Sequence, residues 1–165
     1  MGSSGNILFG ISAFDFEHFF LLVKIQFQKC NAAEHLLTTF LQGKVAEQIR
    51  YPTKTYFLHD VVHYCVEKEL VIQNGFWGLL SQGYKTTDFG SGKVSLKELS
   101  RTEKIVGPVQ SFFSGHMPAD LFWENMKLVS LELPADFLSV VVVQVKVIMD
   151  RWRYLPVGEI LELEF

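Results

Sequence analysis

The segment 56–70 is rich in side chains that could bind a metal ion or transfer a proton. These side chains are His59, Asp60, His63, Glu67 and Glu69. Because helical residues four apart share a face, His59, His63 and Glu67 would form one row on a helix. Glu69 projects into the apolar stripe of the same helix, where a buried carboxylate needs a partner. The sequence therefore predicts a central helix that carries a cluster of reactive groups.

The spacing of the two histidines is typical of a metal site. Two histidines four apart on a helix can both bind one zinc ion at about 2.0–2.1 Å. Asp60 stands where hydrolases with the H-E-x-x-H pattern have their general-base glutamate, and its side chain is shorter by a methylene. Glu67 lies two helical turns beyond His59, roughly 12 Å along the axis. One zinc ion, or a similar divalent metal, would therefore need a further ligand from another segment.

His116 is the candidate for that further ligand. It precedes a helix predicted from Pro118 to about residue 129, and His116, Asp120 and Glu124 are again spaced by four. If this helix packs beside the central one, its residues form a second set of ligands. The favoured alternative is that Asp120 stabilises the dipole of its own helix and the other two are solvated.

Catalysis at such a site would fall to Asp60 or Glu67, either of which could activate a metal-bound water. Phe76, Trp77 and Tyr64 are candidate pocket residues beside the helix. The favoured interpretation is that Phe76 and Trp77 fill the core, and the alternative is that they line a pocket. A histidine at the edge of an apolar stripe is, moreover, more often a half-buried hydrogen-bonding group than a ligand. No residue is assigned to an organic cofactor.

The bulk composition indicates one soluble domain in a reducing compartment. The chain has 165 residues, is 48% hydrophobic with fifteen phenylalanines, and has a net charge of −3. This charge excludes the basic surface of a typical nucleic-acid-binding protein. Cys30 and Cys65 have neither zinc nor disulfide spacing, and Cys65 lies on the apolar stripe. We therefore expect a buried free thiol at Cys65 and a cytoplasmic location.

Residues 1–22 are predicted to be an apolar leader outside the domain proper, which covers residues 23–165. Asp15, Glu17 and His18 interrupt the apolar stretch, and no basic segment precedes it. Neither a signal peptide nor a membrane span is therefore expected. Such a leader could bind a protein partner or mediate self-association.

Hydrophobic periodicity predicts an α+β fold, with a small antiparallel sheet packed against four or five helices. Strands are expected over residues 23–29, 35–41, 45–51 and 159–165. After the central helix, further helices are expected over residues 95–114, 118–129 and 134–153. Gly107-Pro108 should kink or split the first of these three. The valine-rich stretch 140–148 leaves a strand open as an alternative there.

Three motifs resemble those of a group of small bacterial proteins with no assigned function. They are His59-Asp60-x-x-His63-Tyr64-x-x-Glu67, Gly75-Phe76-Trp77-Gly78 and Arg151-Trp152-Arg153-x-Leu155-Pro156-x-Gly158-Glu159-x-Leu161-x-Leu163. The resemblance extends over roughly residues 23–165. It implies a bacterial cytosolic protein and no particular activity.

Two classes of function remain open at this stage. An interaction or accessory protein without catalytic activity is favoured by the acidic, aromatic-rich chain and its apolar leader. The alternative is a metal-binding protein or a metal-dependent hydrolase that uses His59 and His63.

Overall fold

The computed structural model describes residues 22–89, 91–94 and 96–165. These residues form an α+β fold with four strands and five helices, as predicted. The strands are β1 (Val23–Lys29), β2 (Glu34–Leu41), β3 (Lys44–Pro52) and β4 (Ile160–Glu164). The helices are α1 (Thr53–Glu69), α2 (Phe76–Ser81), α3 (Leu96–Phe113), α4 (Ala119–Leu128) and α5 (Phe137–Tyr154). The predicted leader, except Leu22, lies outside the described residues.

The sheet is antiparallel throughout, with the strand order β3-β2-β1-β4. Strand β1 alternates as predicted, because Val23, Ile25 and Phe27 are fully buried while the residues between them are only partly covered. Phe27 pairs with Leu37 on one side and with Leu161 on the other. One face of the sheet therefore supplies a continuous apolar row for the helices to cover.

Helix α1 is the centre of the helical layer, since it contacts α2, α3, α5 and strands β2 and β3. Helix α5 buries residues at helical spacing, namely Phe137, Leu138, Val141, Val145, Ile148 and Trp152. The strand alternative for residues 140–148 is therefore wrong, because burial along one stripe outweighs the strand propensity of valine. None of the helices among the described residues is both long and apolar enough to cross a membrane.

Helix α3 runs without interruption through Gly107 and Pro108, so of the predicted kink or split the split is wrong, while the kink stays a prediction. Proline cannot donate a hydrogen bond to the carbonyl four residues earlier, which here belongs to the exposed Lys104. Water can therefore solvate that carbonyl. Gly107 has no Cβ to clash with the ring that follows, so it can keep a helical conformation before proline.

Candidate metal centre

His63 lies at the centre of a buried network between α1, α2 and α3. Its side chain is only 3% exposed, and each ring nitrogen contacts a different carboxylate. Nδ1 is 2.8 Å from Oε1 of Glu67, and Nε2 is 2.9 Å from Oε1 of Glu103. Helix α1 supplies Glu67 one turn after the histidine, while Glu103 comes from α3. The imidazole is thus fixed in position and orientation from both sides.

Glu67 is fully buried, and both of its oxygens are engaged. Besides His63, its carboxylate accepts hydrogen bonds from the backbone N–H groups of Phe76, Trp77 and Gly78, at 2.8, 2.9 and 3.1 Å. These groups form the first turn of α2, where backbone donors have no intrahelical partner and a negative charge is favoured. Glu67 therefore caps α2 and orients His63 with the same carboxylate.

The glycines of the Gly75-Phe76-Trp77-Gly78 motif permit this close approach. A Cβ on Gly75 would lie 2.4 Å from the carboxylate carbon of Glu67, and a Cβ on Gly78 would lie 2.5 Å from the backbone carbonyl of Gln73. Neither distance is tolerated by real side chains. The two glycines of the motif are therefore needed because the Glu67 carboxylate and the backbone of the turn before α2 lie too close for a side chain.

His59 lies one turn before His63, with the two rings edge to face and their centroids 4.6 Å apart. Its Nδ1 is 3.0 Å from the side-chain oxygen of Gln110 on α3. An amide oxygen only accepts hydrogen bonds, so Nδ1 donates this one and Nε2 is left for another partner. That Nε2 faces Glu103, with its nitrogen 3.7 Å from Oε1.

Three ligand atoms therefore converge on one point. One ring nitrogen each from His59 and His63 and a carboxylate oxygen of Glu103 all lie within 4.8 Å of one another. Two ligands bound tetrahedrally to one zinc ion are roughly 3.4 Å apart, given metal–ligand distances of about 2.1 Å. Both histidines also place Nδ1 against an oxygen acceptor, which is the usual way that proteins orient a metal-binding imidazole.

The charges of the network favour a cation between the two carboxylates. Burial by itself lowers the pKa of His63, but the hydrogen bonds with Glu103 and Glu67 and their negative charges outweigh it and raise that pKa to about 9. The hydrogen bond from His63 lowers the pKa of Glu103, against the opposing effect of burial. A proton on Nε2 thus joins His63 to Glu103, at the place where a metal ion would lie.

Asp60 adds a carboxyl group beside these ligands. It is 6% exposed, and burial raises its pKa to about 7, although the positive charge of His63 acts in the opposite direction. Asp60 lines a cavity of about 230 Å³ together with Tyr51, Tyr56, His59, His63, Phe76, Thr86, Phe89 and Glu103. A carboxyl group with a pKa near neutrality is suited to accept and return a proton.

The structure separates the predicted site residues into two groups. His59, Asp60, His63 and Phe76 meet at the cavity, whereas Glu67 lies behind His63 as a positioning residue rather than facing the cavity. His116 is exposed and is not in the ligand group identified among the described residues, in which the third ligand is Glu103.

The other predicted residues serve packing. Trp77 is fully buried and donates its indole N–H to the carbonyl of Asp60, so it fills the core. Tyr64 points to the opposite side of α1 and donates to the carbonyl of Glu164. Glu69, expected in the apolar stripe, is exposed and bonds to Gln144. Cys65 is free and buried, as predicted, and burial raises its pKa to about 12, which excludes a thiolate nucleophile at neutral pH.

Sequence reasoning missed Glu103 and Gln110, which α3 contributes to the site. They are seven residues apart and so share a helix face, but nothing in that spacing links them to α1. Their role depends on the packing of α3 against α1, which a single sequence does not state.

Comparison of the chain with protein-family models, curated proteins and solved structures found no match. The resemblance to small bacterial proteins therefore stays a prediction, and the chemical interpretation of this site depends on its geometry.

Proposed function

We propose that this protein binds one divalent metal ion of the zinc class through His59, His63 and Glu103. The observation that supports the proposal is the convergence of three ligand atoms, with the Nδ1 of each histidine held by a separate oxygen acceptor. Two imidazoles and one carboxylate form a common protein ligand set of catalytic zinc, which leaves a coordination position for water. Such a set differs from the four closed ligands of a structural zinc site.

We further propose that the site is that of a metal-dependent hydrolase. A bound metal would lower the pKa of its water towards neutrality. Asp60 lines the same cavity and would accept the proton as the water oxygen bonds to the substrate carbon. The bond to the leaving group then breaks, and Asp60 returns the proton to that group. Glu67 holds His63 and the start of α2 in place throughout.

Elemental analysis of protein purified without a metal-affinity tag tests metal binding. We expect about one equivalent of zinc in the parent protein and a loss of most of it in His63→Ala and in Glu103→Ala, because each removes a ligand. His116→Ala is the matched control, since it removes an exposed histidine outside the ligand group. Its zinc content should equal that of the parent.

Zinc far below one equivalent, unchanged by His63→Ala, would eliminate the metal site. A stoichiometric content of iron instead would contradict the hydrolase, because two histidines and one carboxylate with open positions also form the iron site of oxygenases. Asp60→Asn should retain the metal and lose hydrolytic turnover, which separates binding from catalysis.

An interaction protein without catalytic activity is the second candidate. Val143 and Val147 on α5 are 61% and 53% exposed and line one shallow groove with Tyr64 and Leu163. Light scattering after size-exclusion chromatography, with and without residues 1–22, tests whether the chain self-associates through its leader. An unchanged mass and solubility after truncation would count against that role.

A bacterial cytosolic location is part of the same proposal. The cytosolic part of it is supported by Cys30 and Cys65, which are both free and would persist as thiols in a reducing compartment.

A further inference from the structure

The cavity beside the metal centre has aromatic walls. Tyr51 at the end of β3 and Tyr56 on α1 have ring centroids 4.8 Å apart. Phe76 on α2 and Phe89 after the 3-10 turn at Thr86–Asp88 form a second pair, with centroids 5.2 Å apart. All four rings line the cavity. Because the face of an aromatic ring carries negative partial charge, such walls favour a cation over an anion.

Carboxylates outnumber cationic groups around this cavity, since the His63 imidazole is itself bonded to the carboxylates of both Glu67 and Glu103. Asp60 and Glu103 line it, and none of its described lining residues is lysine or arginine. Glu47 lies just behind the wall, where its carboxylate accepts hydrogen bonds from the N–H and the hydroxyl of Thr86 at 3.0 and 2.9 Å. A bound divalent ion would be offset by the charges of Asp60 and Glu103, so the aromatic walls would still face a roughly neutral centre.

The geometry points to a small organic ammonium ion as the group that this cavity recognises, so that the substrate of the proposed hydrolase is a small amine-bearing molecule. The ammonium group would lie among the rings of Tyr51, Tyr56, Phe76 and Phe89, with the bond to be cleaved towards His59 and His63. Phosphate esters fit this cavity less well, because its described lining offers no lysine or arginine to hold their charge. The reaction assigned to this substrate rests on the proposed function, whereas the binding of the ammonium group does not.

Titration of the full chain with tetramethylammonium, in the presence of a metal chelator, tests the recognition directly. Proton NMR reports binding, because ring currents of the surrounding aromatic side chains move the methyl signal upfield. We expect a saturable shift. tert-Butanol, which is similar in size but uncharged, should bind at least about fivefold more weakly, a ratio that corresponds to 1 kcal/mol of cation–π attraction at 1.4 kcal/mol per factor of ten. Inorganic phosphate, followed by phosphorus NMR, should not bind to the chelated protein.

A pair of tyrosine variants locates the binding site. Tyr56→Leu removes one ring from the cavity wall, whereas Tyr84→Leu removes a ring of similar exposure, 37% against 41%, that does not line the cavity. We expect Tyr56→Leu to weaken tetramethylammonium binding by about two- to fivefold, the fold-change that corresponds to 0.5–1 kcal/mol for one cation–π contact. Tyr84→Leu should leave the binding unchanged.

Each outcome bears on the ammonium site. Equal binding of tetramethylammonium and tert-butanol, binding of phosphate, or an equal effect of the two tyrosine variants would each overturn it. Because the titration is made without metal, its failure in a protein that still binds zinc would remove the ammonium site and leave the proposed metal site intact. Conversely, a parent protein that binds tetramethylammonium but no zinc would remove the proposed metal site and leave the ammonium site intact.

Discussion

Two buried histidines in this molecule have opposite surroundings. The ring of His63 contacts a carboxylate through each nitrogen, at 2.8 and 2.9 Å. His35 on β2 is fully buried, and its Nδ1 is 3.3 Å from the hydroxyl of Thr53. Its Nε2 has no hydrogen-bond partner among the described residues. The rings around it are those of Phe27, Tyr51, Phe57 and Trp152.

The comparison shows that neighbours, rather than burial, decide what a buried histidine can do. Burial lowers the pKa of His35 to about 4 because no opposite charge compensates for the lost water. The same penalty acts on His63, but Glu103 and Glu67 reverse it and raise the pKa to about 9. His63 therefore favours a positive charge, whereas His35 stays a neutral ring that fills space.

The largest expected effect comes from removal of the carboxylate behind His63. Glu67→Ala leaves three backbone N–H groups of α2 and one nitrogen of His63 without their buried acceptor. We expect the free energy of unfolding to fall by about 3–5 kcal/mol, measured by urea denaturation. Glu67→Gln keeps one acceptor oxygen and should cost less. Equal, small losses in both variants would contradict the capping role of this carboxylate.

The second-largest expected change in unfolding free energy is the pH dependence caused by His35. Its folded pKa of about 4 lies below the unfolded value of 6.5, so this contribution is fully present above pH 6.5 and is lost as the pH falls through 4. The shift corresponds to about 3 kcal/mol at 1.36 kcal/mol per pKa unit. Urea denaturation between pH 7 and pH 4 should show this decline, and His35→Phe should flatten it. An unchanged slope in that variant would assign the acid sensitivity elsewhere.

The titration of His63 should give the opposite pH dependence of stability in protein treated with a chelator. Its folded pKa of about 9 lies above 6.5, so its contribution is present below pH 6.5 and is lost as the pH rises through 9. The effect should be smaller than that of His35, because the Glu103 side chain is 47% exposed and water screens its charge. Thermal unfolding between pH 6.5 and pH 9 measures it, with His63→Gln as the variant that lacks the titration.

Gly75→Ala tests the space around the His63 network at a somewhat lower cost. The new Cβ would meet the Glu67 carboxylate, which is held on all sides, so we expect a loss of about 1–3 kcal/mol in unfolding free energy. The double variant Gly75→Ala/Glu67→Ala should show less than the sum of the two losses, because the clash disappears with the carboxylate. Additive losses would show that the strain lies elsewhere.

The smallest effect is expected at the polar contact of His35. Thr53→Val removes the hydroxyl beside Nδ1 and should cost about 1 kcal/mol in unfolding free energy, as for a single neutral hydrogen bond. Thr53→Ser keeps the hydroxyl and is the matched control. If both variants lose the same stability, the contact contributes through packing alone.

The sequence by itself determined the elements that carry the site. The spacing of His59 and His63 predicted a helix with both rings on one side, and the alternation in β1 predicted a half-buried strand. Both patterns arise from the repeat of a single helix or strand, so they are readable in consecutive residues. Even here the helical projection failed at Glu69, which is exposed rather than in the apolar stripe, because the neighbouring elements decide which part of α1 is covered.

Only the tertiary structure decided what the two histidines of α1 contact. Glu103 is 40 residues from His63 and Gln110 is 51 residues from His59, and α3 brings both to the site by packing on α1. Likewise, nothing in the pattern of β2 states that His35 lies among aromatic rings from four other segments. Such contacts join side chains that are distant in sequence, and their energies depend on burial and on charged neighbours rather than on local periodicity.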